Sequence, residues 1–161
     1  MKVLGTLTIV AFVVGLVTAI VLGLTSWHID QDINGWKDRA QVSMEPTDMV
    51  TYLTNVKNGM QKWGMTSGNA ALFFPTPETD MALIYKSVNQ HIATAESLVA
   101  MDRSSIQYSA GLNNLGNRIS ELDLHAFQYW ANHQGLLINI FCWIGWILSV
   151  VFGVWWLVAS V

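Results

Sequence analysis

Charge is scarce in this chain, and what there is lies in one place. Only 12% of the 161 residues are Asp, Glu, Lys or Arg, against about a quarter in soluble domains. Val3 to Ile29 carries none, and Leu124 to Val161 carries none. All eleven acids and seven of the eight bases fall between Asp30 and Asp123, which leaves that segment at net −4. A segment of that sign suits neither nucleic acid nor anionic headgroups, so no nucleic-acid partner is expected. Cysteine is almost absent. Cys142 stands alone in an apolar run, which excludes an internal disulfide and a cysteine-based zinc site and fits a small packing residue. No Asn-x-Ser/Thr sequon occurs, in keeping with a prokaryotic protein.

Catalytic motifs are also missing. There is no phosphate-binding Gly-Lys-Ser/Thr element. Gly64-Met65-Thr66-Ser67-Gly68 lacks the Gly-x-Ser-x-Gly spacing, and no strand precedes it. Asp102-Arg103 reads as capping and surface charge. No catalytic residue is assigned, and the chain is not expected to be an enzyme.

Two long apolar runs are present instead. Val3 to Trp27 and Leu136 to Val161 each exceed the roughly 20 apolar residues that span a hydrocarbon core. As a cleaved signal peptide the first would have an unusually long apolar region, with Val17-Thr18-Ala19 as a merely passable cleavage site. Trp27, Tyr129, Trp130, Trp155 and Trp156 stand at interfacial anchor positions. The expected domains are therefore a transmembrane helix over 1–27, an extracytoplasmic helical domain over 28–135 and a second transmembrane helix over 136–161. Lys2 favours a cytoplasmic N-terminus, and the acidic middle segment is suited to translocation. The expected location is a prokaryotic cell membrane, with both termini inside and the domain outside. The chain ends within the second span, so no cytoplasmic domain is expected.

Each span carries small residues four apart. Gly15, Ala19 and Gly23 share a face of the first, and Gly145, Ser149 and Gly153 share a face of the second. Such stripes let helix backbones approach closely in lipid. They are the expected packing surfaces, either against each other or against other subunits.

The middle segment reads as helices. Ile29, Ile33, Trp36 and Ala40 carry the first span's helix on to about Met44. Glu45-Pro46-Thr47-Asp48 breaks and restarts it. Met49, Leu53, Val56, Met60 and Trp63 mark the next apolar face, which Gly64 ends. Met65 to Pro77 is a loop. A third helix starts near Glu78, with Met81, Ile84, Val88, Ile92, Ala95 and Val99 inward. Tyr108, Leu112, Leu115, Ile119, Leu122, Ala126, Tyr129 and His133 then repeat by four and three. The register runs on through Leu136, Ile140, Trp143, Ile147, Val150 and Val154, which predicts one helix from the domain into the membrane. Gly111, Gly116 and Gly135 are its candidate bends, and its length against the first two helices implies a stagger or a break near Gly111 or Gly116. The fold class expected is all-α: two transmembrane helices flanking a four-helix, up-and-down extramembrane bundle. That order resembles the extracytoplasmic sensor bundles of chemoreceptors in architecture, without their cytoplasmic signalling half.

Candidate ligands are few. His125 and His133 are eight apart on one predicted helix, about 12 Å along its axis and too far to share an ion. Glu121 and His125 are four apart, whereas di-iron bundles use Glu-x-x-His. His28 follows the first span and His133 precedes the second, so an antiparallel pair sets them at one level, where two imidazoles are candidate axial haem ligands. The plainer reading is a pair of interfacial histidines. Methionines 44, 49, 60, 65, 81 and 101 are candidate Cu(I) ligands, but Met49, Met60 and Met81 sit on predicted core faces. No cofactor is expected. Leu72, Phe73 and Phe74 form an apolar triplet in the loop, on the membrane-proximal side if the first and third helices run away from the membrane. They are candidates for contact with a partner or with the lipid interface, the alternative being a plug of the bundle. The resulting expectation is a non-catalytic accessory or structural subunit of a membrane assembly. Its partners would be the bilayer and other subunits or copies of itself. Two alternatives stand beside it: a sensor-like ligand-binding bundle, and a haem or copper carrier.

Overall fold

A computed structural model describes residues 2 to 160. Contacts divide the chain into two compact units, one of residues 1–27 with 133–161 and one of residues 28–132. Among the described residues all regular structure is helical, apart from an isolated bridge between Asn69 and Asp80.

The first unit is a pair of apolar helices, α1 (Lys2–Ile29) and the last helix of the chain, Leu136–Ser160. Both are long and apolar enough to cross a membrane. They run antiparallel: a Cβ built on Gly5 lies 3.8 Å from Trp156 Nε1, one on Gly153 lies 3.8 Å from Thr8 Cγ2, and Gly15 meets Gly145 between them. Phe12 meets Trp146 edge-to-face, with ring centroids 5.6 Å apart. The hydroxyls of Thr8 and Thr18 donate to carbonyls of their own helix, which satisfies them without leaving it. The heptad residues Ile140, Trp143, Ile147, Val150 and Val154 are exposed rather than seated in a seam. In a helix that is apolar all round, hydrophobic period carries no information about the packed face, and small residues decide it.

The second unit is a helical bundle. Past Ile29 the helix widens into a π turn (Asp30–Asn34), resumes as α2 (Gly35–Val42) and stops. Pro46 then opens α3 (Pro46–Lys62), with its missing N–H at a position that needs none. At the far end Gly64, at φ 70°, turns the chain out of the helix. The Met65 N–H returns to Met60 O (2.8 Å) and the Gly64 N–H to Gln61 O (3.1 Å). This closes the helix end on two buried methionines. A short 3₁₀ turn (Pro77–Thr79) leads to α4 (Met81–Val99), capped by the Asp80 carboxylate, which accepts from Ala82 N and Leu83 N. Ser105 caps α5 (Ile106–Ser120) in the same way. α2 packs on α3 and α5, and α4 packs on the same two helices. Ala40, Met49, Leu53, Ala95, Leu98, Leu115 and Ile119 fill the space between them. On the α2–α3 surface, Trp36 stacks on Tyr52 and Arg39 lies 4.5 Å over the Trp36 ring.

Two features of the predicted pattern are corrected. The buried face of α4 is Met81, Ile84, Val88, His91, Ala95 and Leu98; Ile92 packs on the core from its edge, while His91 joins the face and Leu98 takes the place expected for Val99, which is exposed. The true stripe alternates by three and four throughout, and stepping over a histidine moved the predicted one off register. The long fourth helix is not continuous. α5 stops at Ser120, α6 (Ala126–Asn132) follows, and residues 133–135 form a turn before α7 (Leu136–Ser160). The break lies at neither Gly111 nor Gly116. It lies at Glu121–His125, where the Asp123 carboxylate accepts the His125 N–H (3.0 Å), His125 adopts φ 44° and Lys37 Nζ donates to Leu122 O (3.2 Å). A short acidic side chain that captures a backbone N–H competes with the helix, whatever the apolar period around it.

Candidate functional site

Three places bear on what the chain can contact. The first is the meeting of the two apolar helices. A Cβ on Gly145 would lie 2.7 Å from Gly15 N, 2.9 Å from Gly15 Cα and 3.1 Å from Ala11 O. Only glycine permits that approach of backbone to backbone. Gly15 is nearly as tight, 3.3 Å from Trp146 N. Of the remaining stripe residues, Ala19 and Ser149 are half-buried, Gly153 faces Thr8, and Gly23 has nothing within 4 Å. The close approach thus joins the two helices of this chain to each other at one level.

The second place is the end of the bundle where α3 finishes. Asp32, in the π turn, accepts Lys62 Nζ (2.6 Å) and Trp63 Nε1 (2.9 Å) on one carboxylate oxygen. Burial alone would raise its pKa. The hydrogen bonds from Lys62 and Trp63 outweigh that, aided by the charges of Lys62 and His28, and hold the carboxyl below the usual aspartate range. Gly59 permits the arrangement, because a Cβ there would fall on the Asp32 carbonyl oxygen. At the same end Tyr129 Oη donates to Gly64 O (3.1 Å) and Asn132 Nδ2 to Ala70 O (2.7 Å). The loop beyond is exposed along its tip: Leu72 is 50%, Phe73 78% and Phe74 84% accessible. None of the three plugs the bundle. Met65 and Ala70, at the base of the loop, are the residues that enter the core.

The third place is the opposite end, and the sequence reading missed it. α2 and α4 both finish there and α5 begins. Arg103 bridges to Glu45 across the two turns (3.1 Å). Val42, Met44, Val99, Met101 and Ile106, on or beside those turns, are all exposed, with Ile106 82% accessible. The apolar period places Val99 in the core, and Met44 and Met101 enter the sequence pattern as candidate metal ligands. The available signal was that apolar residues stand beside the capping residues of both turns, where the helix faces no longer apply.

The candidate metal ligands are spread over both units. Among the described residues no group of three or more His, Cys, Asp or Glu is placed to hold a metal ion. Met49, Met60, Met65 and Met81 are buried in the core, and Met44 and Met101 are exposed. His28 belongs to the bundle and His133 to the helix pair. His91 is buried, with Nε2 3.4 Å from Ser87 Oγ. Burial pushes its pKa down, as does the Arg118 charge. It lines an open groove of about 440 Å³ with Ser87, Arg118, Glu121 and Leu122.

No protein-family model matches the chain, and neither a curated protein nor a solved structure is significantly similar to it.

Proposed function

We propose that this chain is a two-pass integral membrane protein of a prokaryotic cell membrane. Both termini are cytoplasmic, and an up-and-down helical domain lies outside. It serves as a non-catalytic accessory or structural subunit of a larger membrane assembly, held to other subunits or to copies of itself. The observation that carries this reading is the end of the bundle formed by the 43–45 and 100–105 turns. Five apolar side chains are exposed there, on or beside short turns bridged by an ion pair. Burying a large aliphatic side chain gains roughly 1.5–3 kcal/mol over leaving it in water. Several held at one end with charged neighbours have the make-up of a protein contact, apolar at its centre and polar at its rim. The Gly15–Gly145 approach supports a different part of the reading. It ties the two spans to each other, so the stripe serves this chain's own hairpin and the bundle end serves the partner.

The test is native mass in mild detergent. The wild type is expected to run as a complex larger than the 17.9 kDa chain. Met44→Glu with Ile106→Glu should release it as a smaller species with unchanged helix content, since both positions are exposed. Retention of the full complex by that variant would remove this end of the bundle from the contact.

A further inference from the structure

The loop tip at Leu72-Phe73-Phe74 is exposed, and what covers it is legible from its surroundings. From Gly64 to Pro77 there is no Asp, Glu, Lys or Arg, a run of fourteen uncharged residues ending at Glu78. The loop is fastened at its base. Ala70 N donates to Thr79 O (2.8 Å), Met81 N to Gly68 O (2.9 Å) and Ala71 N to the Asn69 side chain (2.8 Å). It is also fastened to the end of the bundle through which the chain enters and leaves. Asn132, which holds Ala70 O, is the last residue before the 133–135 turn that leads into α7. Asp32, which holds Lys62 and Trp63 just before the loop, follows Trp27 by five residues. One connection is therefore bonded to the loop itself, through Asn132, and the other to the end of α3 from which the loop emerges, through Asp32.

We propose that Phe73 and Phe74 insert into the interfacial layer of the bilayer and anchor this end of the bundle to lipid. This rests on the reading that α1 and α7 cross the membrane. Aromatic side chains on an uncharged, preformed loop, held to residues that follow one apolar helix and precede the other in the chain, suit the boundary between headgroups and acyl chains. With no basic residue in the loop, the contact needs no anionic lipid, and phosphatidylcholine suffices. A partner protein covering the same residues is the competing outcome of the test.

The experiment places an environment-sensitive fluorophore at a single cysteine. Cys142→Ala removes the native thiol, and Phe74→Cys, Val150→Cys in α7 or Gln107→Cys at the other end of the bundle supplies the site. The purified, labelled full chains go into phosphatidylcholine nanodiscs with and without lipid carrying a nitroxide on its acyl chain. The result expected is quenching at 74 and at 150 and none at 107, unchanged when anionic lipid is added. Quenching at 150 but not at 74 would overturn the loop's assignment and leave the spans standing. Absence of quenching at both would show that the membrane reading itself fails. A blue-shifted, unquenched probe at 74 would assign the tip to protein, a partner or a second copy, and also overturn the proposal.

Discussion

Asp32 ties the π turn to α3, and its two donors come from consecutive residues at the end of that helix. Its lowered pKa makes it a stabilising group whose contribution is complete above the ordinary carboxylate value of 3.8. Below that value the unfolded chain takes up a proton before the folded one does, so the contribution is lost as pH falls through the folded pKa. We expect the melting temperature of wild type to fall in this acid window and that of Asp32→Asn to fall less there, starting from a lower value at neutral pH. Parallel acid profiles in thermal melts would show that the Asp32 contacts contribute nothing to the fold. His91 has the opposite charge type, and its pKa is also lowered. It costs no stability while neutral, above the ordinary histidine value, and as pH drops below that value the unfolded chain takes up the proton first and stability declines. Neither residue was legible as special in the sequence. Asp32 resembles any helix-surface acid, and its importance comes from donors some thirty residues away. His91 was passed over because an apolar period skips polar letters.

At the scale of elements, much of the pattern was readable where local chemistry and period agreed. Glu45-Pro46 ended one helix and began the next, Gly64 ended α3, and the 65–77 loop fell where glycine and proline cluster. The fourth helix was misread because its apolar register runs unbroken through Leu122, Ala126 and Tyr129, while Asp123 and His125 divert the backbone between them. His125→Gly separates the two descriptions. In a continuous helix glycine costs about 1 kcal/mol. At a left-handed φ it relieves a strain of roughly 1–2 kcal/mol, offset in part by loss of the His125 contact with Asp123 (3.6 Å). We expect chemical unfolding to show stability equal to or above wild type, whereas a clear loss would argue for helix through this point. The helix pair gives a second expectation. Gly145→Ala places a methyl group against the Gly15 backbone, and overpacking of this kind costs about 1–3 kcal/mol. Thermal stability in detergent should drop, while Gly23→Ala, which meets nothing within 4 Å, should be neutral. Equal effects would mean that the stripe has no preferred face.

For the whole molecule, the sequence made the two apolar helices plain, because absence of charge over such lengths is a strong signal. It pointed to the Leu72-Phe73-Phe74 loop, but not to the apolar side chains exposed at the opposite end of the bundle. Exposure depends on which residues fall beyond the packed faces, and short turns decide that. The proposed subunit role and the proposed lipid contact share one premise: the chain crosses the membrane twice and sets the bundle on the outer side. Labelling with a membrane-impermeant maleimide tests it most directly. It uses Gln107→Cys, an exposed position on α5, with Cys142→Ala. Labelling in intact cells to the same extent as after lysis is the predicted result. Labelling only after lysis would contradict it and place the bundle in the cytoplasm.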